Sequence, residues 1–344
     1  MTVADPTLRD IYLARQRIAG LARRTPLVRS AELSERTGAA VFLKPESLQE
    51  TGSFKIRGAA NKLLSLTAEE RAQGVIAVSS GNHGRAVAYL AQQLGVRAVI
   101  CVSERVPVGK VEAIRRLGAE LVVHGASYDE AEAHSLRLQA ERGLIRVDPF
   151  DDPAVIAGQG TIGLELLEDM PQVETVVVPL SGGGLISGIA IALKAANPAI
   201  RVIGVSMDRA PVMAHSLRAG RLLELPEEDT LADALAGGIG LDNRYTFRLV
   251  QHHVDEVLLV SEDEIAGAMT FALEHERLVV EGGGAVALAA VLFDQVAQPG
   301  RTTAVIISGG NVDLSLLSNV ILRSAATKNL LEDTHRVSLL GGAP

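Results

Sequence analysis

Short apolar runs alternate with longer amphipathic stretches along most of the chain. The short runs, rich in β-branched residues, predict strands at Val41–Lys44, Val75–Ser79, Ala98–Ser103, Leu121–His124, Thr175–Leu180, Val202–Ser206, Val254–Val260 and Thr303–Ser308. The longer stretches predict helices at Phe54–Leu66, His83–Leu94, Gly109–Leu117, Ser127–Gly143, Ile186–Ala196, Glu262–Glu274 and Ala285–Phe293. Because continuously apolar strands alternate with helices, we expect an α/β fold whose parallel sheets are covered on both faces.

The predicted units fall into two groups. Those at 74–149 form a compact set, which predicts a small domain inserted into a large domain made of 1–73 and 150–325. Leu222–Asp242 combines a proline, acidic residues and glycines, and so predicts an irregular excursion. Periodicity is lost near the C-terminus, and we expect the tail 326–344 to be poorly ordered.

The composition is that of an ordinary globular protein, with 47% hydrophobic and 22% charged residues in 344. A net charge of −8 disfavours nucleic acid and anionic membranes as partners. The single cysteine, Cys101, cannot form an internal disulfide. Met1–Asp10 lacks the features of a signal peptide, and no apolar run reaches the roughly 20 residues of a membrane helix. We therefore expect a cytoplasmic protein.

The segment TGSFKIRG, residues 51–58, contains the first candidate for chemistry. Its glycine and serine predict a capped helix start, which places Lys55 in the first turn, near the positive helix terminus and Arg57. Both neighbours would favour an uncharged amine, the form that a nucleophilic or Schiff-base lysine requires. The alternative interpretation is a solvated surface lysine, which is the commoner situation.

Two further segments follow predicted strands. SSGNHG, residues 79–84, offers backbone N–H groups and short side chains to a small anion, although an ordinary turn fits equally well. We interpret His83 as a structural loop histidine rather than a general base. SGGGLISG, residues 181–188, is typical of a phosphate-binding turn before a helix. It lacks the third glycine of a dinucleotide fingerprint and the lysine of a P-loop, so another phosphorylated cofactor is favoured.

The last predicted strand ends in SGGNVD, residues 308–313, which places the Ser308 hydroxyl at a strand end. EGGG, residues 281–284, is a comparable turn with one carboxylate. Each of these segments is weak evidence alone. Together, a lysine, a phosphate turn, an anion-binding turn and a hydroxyl for a ring nitrogen are the groups that pyridoxal phosphate requires.

In order and spacing, these segments resemble the motifs of the serine/threonine dehydratases, which are fold-type II pyridoxal phosphate enzymes. The resemblance covers about residues 10–325. It implies two open, twisted, mostly parallel sheets flanked by helices, with pyridoxal 5'-phosphate in the cleft between a large and a small domain. It also implies a homodimer without a C-terminal regulatory domain.

The same resemblance implies an activity. A family member would be a dehydratase, or ammonia-lyase, that converts a threonine-like or serine-like β-hydroxy-L-amino acid to a 2-oxo acid and ammonia. The sequences PLSGGGLISG and VVEGGGAVAL are most similar to the branch of the family that serves hydroxyectoine utilisation, which adds a hydroxyectoine-derived amino acid to the expected substrates.

The resemblance also assigns individual roles. Lys55 would form the Schiff base, Phe54 would lie against the cofactor ring, Asn82 would bond the ring hydroxyl and Ser308 would face the pyridine nitrogen. The phosphate loop falls on Ser181, Gly182, Gly183, Gly184 and Leu185, with serine at position 181 where many relatives have glycine. The substrate carboxylate falls on Ser79, Ser80, Gly81, Asn82 and His83, and Ser80 matches the opposite-face acid/base of related racemases.

One motif of many relatives is missing. Their Mg²⁺ site uses a glutamate, a carbonyl and an aspartate, at positions that are Ser206, Ala210 and Val212 in this chain. Because a hard divalent cation held mainly by neutral groups binds weakly, we expect no metal at this site.

Other activities remain open on the sequence. Ser80 would suit an amino-acid racemase of the same fold. A β-replacement enzyme similar to cysteine synthase normally has aspartate two residues after the lysine, where this chain has Arg57. A non-catalytic binding protein or a nicotinamide oxidoreductase would leave Lys55 dispensable.

Overall fold

Two sheets with helices packed against them form the computed structural model, which describes residues 4–106 and 108–322. Its strands are β1 Val28–Arg29, β2 Ala40–Pro45, β3 Val75–Val78, β4 Ala98–Val102, β5 Glu120–Val123, β6 Ile145–Arg146, β7 Thr175–Pro179, β8 Arg201–Met207, β9 Glu256–Val260 and β10 Thr302–Ile307. Its helices are α1 Leu8–Arg17, α2 Ala31–Thr37, α3 Lys55–Ser65, α4 Ala68–Gln73, α5 Asn82–Leu94, α6 Val108–Arg115, α7 Tyr128–Arg142, α8 Pro153–Asp169, α9 Gly184–Ala196, α10 Val212–Ala219, α11 Thr246–His253, α12 Glu262–Glu274 and α13 Gly282–Leu292.

The larger sheet has the strand order β1-β2-β10-β7-β8-β9, and the smaller sheet has the order β5-β4-β3-β6. All strand pairs are parallel except β1 with β2. The central strands β7 and β4 are buried along their whole length, as expected for parallel sheets with both faces covered. The predicted α/β fold with two mostly parallel sheets is therefore confirmed.

The small sheet is built from a continuous part of the chain, β3 to β6, which lies within the predicted small domain at 74–149. The boundaries of the two domains stay a prediction. The predicted irregular excursion at Leu222–Asp242 contains one short 3-10 helix, Asp233–Leu235, and no strand. The predicted tail at 326–344 lies outside the described residues.

Six helices of the described structure were missed by the sequence analysis, and α8 is the most deeply buried of them. Three glycines let its backbone approach neighbouring helices closely. A Cβ added at Gly158 would lie 2.6 Å from the carbonyl oxygen of Arg57 in α3. A Cβ added at Gly160 or Gly163 would lie 2.8 Å or 3.0 Å from a carbonyl oxygen of α9, that of Gly188 or Ile189 respectively. Helix α8 thus packs backbone to backbone against α3 and α9. The missed helices are α1, α2, α4, α8, α10 and α11.

Within the residues that the structure describes, no helix is both long enough and apolar enough to cross a membrane.

Candidate active site

A cavity of about 530 Å³ opens where the ends of β3, β7 and β10 meet the start of α3. Every residue that the sequence assigned to the cofactor or the substrate lines it. These residues are Phe54, Lys55, Ser79, Ser80, Gly81, Asn82, His83, Ser181, Gly182, Gly183, Gly184, Leu185 and Ser308. Segments more than 250 positions apart in the sequence therefore share one cavity wall.

Lys55 is the first residue of α3 and is partly exposed to the cavity. Its Nζ donates a hydrogen bond to the Pro149 carbonyl at 2.8 Å. Desolvation by the surrounding protein lowers the pKa of this amine to about 8, although the charges of Asp148 and Glu281 act in the opposite direction. At this pKa about a tenth of the amine is uncharged at pH 7, against roughly three in ten thousand at the ordinary pKa of 10.5, and the uncharged form is the one that a nucleophile or base requires.

The direction of this shift was predicted, but the cause assigned to Arg57 is wrong. The buried Arg57 guanidinium donates to Glu46 Oε2 at 2.8 Å and to Glu165 Oε1 at 2.6 Å. Because two carboxylates neutralise it, Arg57 does not repel a proton from the Lys55 amine. Its position anchors the first turn of α3 instead.

The predicted cap of α3 is also wrong in its detail. Phe54 is the N-cap residue, and no side chain caps this helix. Ser53 forms an antiparallel bridge with Gly309, and the Phe54 N–H donates to the Ser308 carbonyl at 3.0 Å. Backbone hydrogen bonds therefore join the end of β10, where Ser308 lies, to the start of α3, where Lys55 lies.

The segment 79–83 comprises the turn between β3 and α5 and the first two residues of α5. The Gly81 N–H donates to Ser79 Oγ at 3.2 Å, and Gly81 caps α5 without a side-chain hydrogen bond. Several N–H groups at this helix start therefore have no side-chain partner, which suits an anion. Ser80 lies beside them on the cavity wall.

His83 lies in the first turn of α5, within one residue of the predicted helix start, so its interpretation as a loop residue is wrong. It is 3% exposed, and its Nε2 lies 2.8 Å from the Val147 carbonyl, which can only accept a hydrogen bond. Burial first, and then the Lys55 charge, lower the pKa of His83 to about 4. The ring is thus uncharged at neutral pH, with its proton on Nε2.

Asn82 belongs to a hydrogen-bond network that the sequence analysis did not predict. Its Nδ2 donates to Glu281 Oε1 at 2.5 Å, and its Oδ1 accepts from Asn311 Nδ2 at 2.6 Å. Glu281 caps α13 and is 5% exposed. Glu281 and Asn311 lie in the glycine-rich turns 281–284 and 308–313, which the sequence analysis identified. Their spacing in the sequence did not show that the two turns meet at Asn82.

The glycine loop at the start of α9 packs against Phe150, a residue that sequence reasoning missed. An added Cβ at Gly182 or Gly184 would overlap Phe150, and Gly183 has a φ of +86°. Glycine is required at all three positions, and α9 begins without a side-chain cap. Ser181 extends away from this loop and donates through Oγ to the Leu235 carbonyl at 2.8 Å.

Comparisons with known proteins identify the family of the chain. Residues 18–309 match the family model described as "Pyridoxal-phosphate dependent enzyme". The L-threonine ammonia-lyase of Thermotoga maritima is 47% identical over 315 residues, covering 92% of this chain and 78% of that protein. The catabolic L-threonine dehydratase of Escherichia coli K12 is 44% identical over 314 residues, covering 90% and 94%.

Among solved structures, maize serine racemase superposes with a TM-score of 0.87 at 38% identity, covering 96% of this chain and all of that one. The chain belongs to the pyridoxal-phosphate dependent enzymes. Within them it is a member of the serine/threonine dehydratases of fold type II, as the motifs implied.

The residues present fit the cofactor of this family. The loop 182–184 leaves free backbone N–H groups at a helix start, and its glycines are packed so closely against Phe150 and Thr246 that side chains at these positions would displace the loop. The Ser308 hydroxyl, 4% exposed, has only a long contact of 3.4 Å with the Gly283 carbonyl, which leaves it available for a ring nitrogen. Pyridoxal phosphate would thus be held by the Lys55 amine, the 182–184 loop and Ser308.

The structure describes the three positions at which many relatives hold Mg²⁺, Ser206, Ala210 and Val212. Ser206 Oγ contacts Met207 Sδ at 3.4 Å, and Ala210 has a φ of 43°. Among residues 4–106 and 108–322, no group of three or more His, Cys, Asp or Glu residues could hold a metal ion. That the enzyme works without a divalent metal stays a prediction.

Proposed function

We propose that this enzyme is a dehydratase that converts a β-hydroxy-L-amino acid of the threonine or serine type to a 2-oxo acid and ammonia. The observation that carries the proposal is the Lys55 amine, which has a pKa lowered to about 8 and borders the same cavity as the anion-binding turn 79–83. Its relatives named as threonine dehydratases or ammonia-lyases support the proposal.

The cofactor, when bound, supplies an aldehyde for the amine of the substrate and a conjugated ring that accepts the electrons released from Cα. The chain's own residues do the rest. The N–H groups of the turn 79–83 bind the substrate carboxylate and so fix the direction of the Cα–H bond. Lys55, uncharged, takes the α-proton at Nζ. The network of Asn82, Glu281 and Asn311 fixes one wall of the site.

Lys55→Ala tests the proposal. The variant should lose both the cofactor linkage, measured by borohydride reduction and peptide mass spectrometry, and the release of 2-oxo acid from L-threonine. Lys194→Ala, which removes a lysine that pairs with Asp255 away from the cavity, is the matched control and should keep both. Undiminished oxo-acid release by Lys55→Ala would refute the assignment.

The substrate range is part of the proposal. The sequences PLSGGGLISG and VVEGGGAVAL favour including an amino acid derived from hydroxyectoine. A panel of β-hydroxy amino acids, scored by the 2-oxo acid formed, would rank them.

Amino-acid racemisation is a second candidate, because the Ser80 hydroxyl lies on the cavity wall and a serine racemase has a similar fold. Chiral chromatography of the serine left after partial turnover distinguishes the two. A racemase should yield D-serine that Ser80→Ala abolishes, whereas a pure dehydratase leaves only L-serine.

A further inference from the structure

The side-chain amide of Asn82 borders the cavity, and an amide can either donate or accept a hydrogen bond, depending on which way it is turned. The motif predicts that Asn82 contacts the ring hydroxyl of the cofactor, and a hydroxyl can also act in either sense. The motif therefore leaves open whether Asn82 donates or accepts. The hydrogen bonds around its side chain supply the answer.

Asn311 sets the orientation of this amide from one side. Its Nδ2 donates to the Thr51 backbone carbonyl at 2.8 Å, and a carbonyl oxygen can only accept. The nitrogen of the Asn311 amide must therefore lie at this position, and it also donates to Asn82 Oδ1 at 2.6 Å. The oxygen of the Asn82 amide consequently faces Asn311.

Glu281 sets the same orientation from the other side. Its Oε1 lies 2.5 Å from Asn82 Nδ2, and a carboxylate can only accept a hydrogen bond. The nitrogen of the Asn82 amide must therefore face Glu281, which agrees with the requirement set by Asn311. Two groups of fixed polarity, a backbone carbonyl and a carboxylate, thus impose one orientation on Asn82.

Glu281 and Asn311 are themselves held against glycines of facing turns. A Cβ added at Gly52 would overlap Asn311 Oδ1, and a Cβ added at Gly309 would overlap Glu281 Oε1. Backbone hydrogen bonds join the same segments, from the Gly310 N–H to the Gly52 carbonyl at 2.9 Å and from the Glu281 N–H to the Gly309 carbonyl at 3.2 Å. This packing restricts the movement of both side chains that contact Asn82.

We propose that Glu281 and Asn311 are positioning residues that hold the Asn82 amide as a hydrogen-bond donor toward the cofactor. Within the described part of the chain, no hydrogen bond uses the second N–H of Asn82 Nδ2. Because a hydrogen bond to an ionised acceptor is the stronger one, this donor favours the deprotonated ring oxygen over the hydroxyl. The inference goes beyond the proposed reaction, since it concerns how the chain binds its cofactor.

Exchanging the two neighbours of Asn82 inverts the polarity without changing the net charge. In Glu281→Gln/Asn311→Asp, position 311 can only accept and position 281 can donate, so the Asn82 amide should turn over and direct its oxygen toward the ring oxygen. In Glu281→Gln alone the orientation should persist, because glutamine can still accept and Asn311 is unchanged. Only the double variant should therefore repel the ring oxygen.

The measurement compares two ligands of the full-length apoprotein: pyridoxal phosphate and 3-deoxypyridoxal 5'-phosphate, which lacks the ring hydroxyl. Fluorescence titration gives the Kd of each, and their ratio is the preference for the hydroxyl. In the double variant this preference should fall at least about tenfold, as expected when a hydrogen bond to a charged group is lost. Effects on the Lys55 amine or on the phosphate site act on both ligands and cancel in the ratio.

Glu224→Gln/Asn197→Asp is the matched control, because it makes the same exchange at two exposed positions that do not line the cavity. It should keep the parent preference. Asn82→Ala should lose the preference, and adding the exchange at 281 and 311 to Asn82→Ala should change it no further, as positioning through Asn82 requires.

An unchanged preference in the double variant or in Asn82→Ala would overturn the inference, even if both ligands bind more weakly. The proposed function is tested separately. A parent enzyme that shows this preference but releases no 2-oxo acid from any β-hydroxy amino acid would overturn the proposed function and leave the positioning of Asn82 intact.

Discussion

At the scale of single residues, the site depends on the groups that set the pKa of the Lys55 amine. Asp148 raises the pKa of Lys55, and its Oδ1 also accepts from the N–H groups of Phe150 at 3.0 Å and Asp151 at 2.7 Å. The residue thus both shapes the segment beside the cavity and moderates the effect of desolvation. Asparagine at this position would separate the two roles, because its side chain keeps the accepting oxygen and loses the charge.

Asp148→Asn should lower the pKa of Lys55. Loading of the apoprotein with pyridoxal phosphate needs the uncharged amine, so in the parent its rate should rise with pH and level off above about 8. In the variant the plateau should be reached at lower pH. Stopped-flow measurement of bound-cofactor absorbance from neutral to alkaline pH gives both profiles, and Asp208→Asn, an exposed site, is the control. Coincident profiles would show that Asp148 does not act on the amine.

His83 should make the fold sensitive to acid. Its pKa is about 4 in the folded protein against 6.5 in the unfolded chain, so between these values the unfolded chain binds more protons. Lowering the pH from 6.5 to 4 should therefore remove about 3 kcal/mol of unfolding free energy through this residue. His83→Asn should show a shallower pH dependence in urea titrations, whereas the exposed His252→Asn should match the parent. An unchanged slope in His83→Asn would contradict this account.

At the scale of elements, α3 positions the lysine through a buried ionic network. Besides its carboxylate partners, Arg57 donates to Thr161 Oγ1 at 3.2 Å and to the Arg23 carbonyl at 3.0 Å, and Lys44 lies 2.6 Å from Glu165. Removing one member of such a network leaves uncompensated charge in the interior, which is costly. The network therefore couples the start of α3 to β2 and α8.

Arg57→Leu should lower the free energy of unfolding by about 3–5 kcal/mol, because Glu46 loses its cation while buried. Arg15→Ala breaks an exposed pair with Glu168 and should cost less than about 1 kcal/mol. Urea unfolding of both variants at neutral pH makes the comparison. Equal, small losses would mean that the buried network contributes little to stability.

Elements with a clear hydrophobic period could be predicted from the sequence, and α8 could not. Residues 155–166 of this helix are all buried, so the pattern has no exposed face, and the glycines at 158, 160 and 163 are typical of turns when they are considered locally. These glycines are needed because α3 and α9 pack closely against α8, and that packing is visible only in the tertiary structure. The same holds for Arg57: the sequence places it beside Lys55, but only the fold brings Glu46 and Glu165 to its side chain.

At the scale of the whole molecule, the order of the motifs was enough to predict the fold and the cavity. Strand ends of parallel sheets meet on one edge, so turns distant in sequence converge there. The contributions of Phe150, Pro149 and Leu235 could not be predicted, because they act through a ring face and backbone carbonyls that carry no residue-specific signal. The sequence of residues 147–150 is typical of an ordinary loop between two elements.

Because the cavity draws on both sheets, cofactor binding should stabilise the entire fold. At a concentration one hundred times its Kd, pyridoxal phosphate should add about 2.7 kcal/mol to the unfolding free energy, seen as a rise in Tm. Pyridoxal, which has the aldehyde but no phosphate for the loop 182–184, should give a much smaller rise at the same concentration. Differential scanning calorimetry of the apoprotein compares them, and equal shifts would exclude the loop as the phosphate site.

The short connection from β6 to α8 has one more consequence. Within four residues it accepts a hydrogen bond from His83 at Val147 and from Lys55 at Pro149, and it then places Phe150 against the glycine loop. A displacement of the small sheet must therefore pull on this connection and change the environment of the reactive nitrogen. A movement of the small sheet would therefore reach the Lys55 amine through this connection.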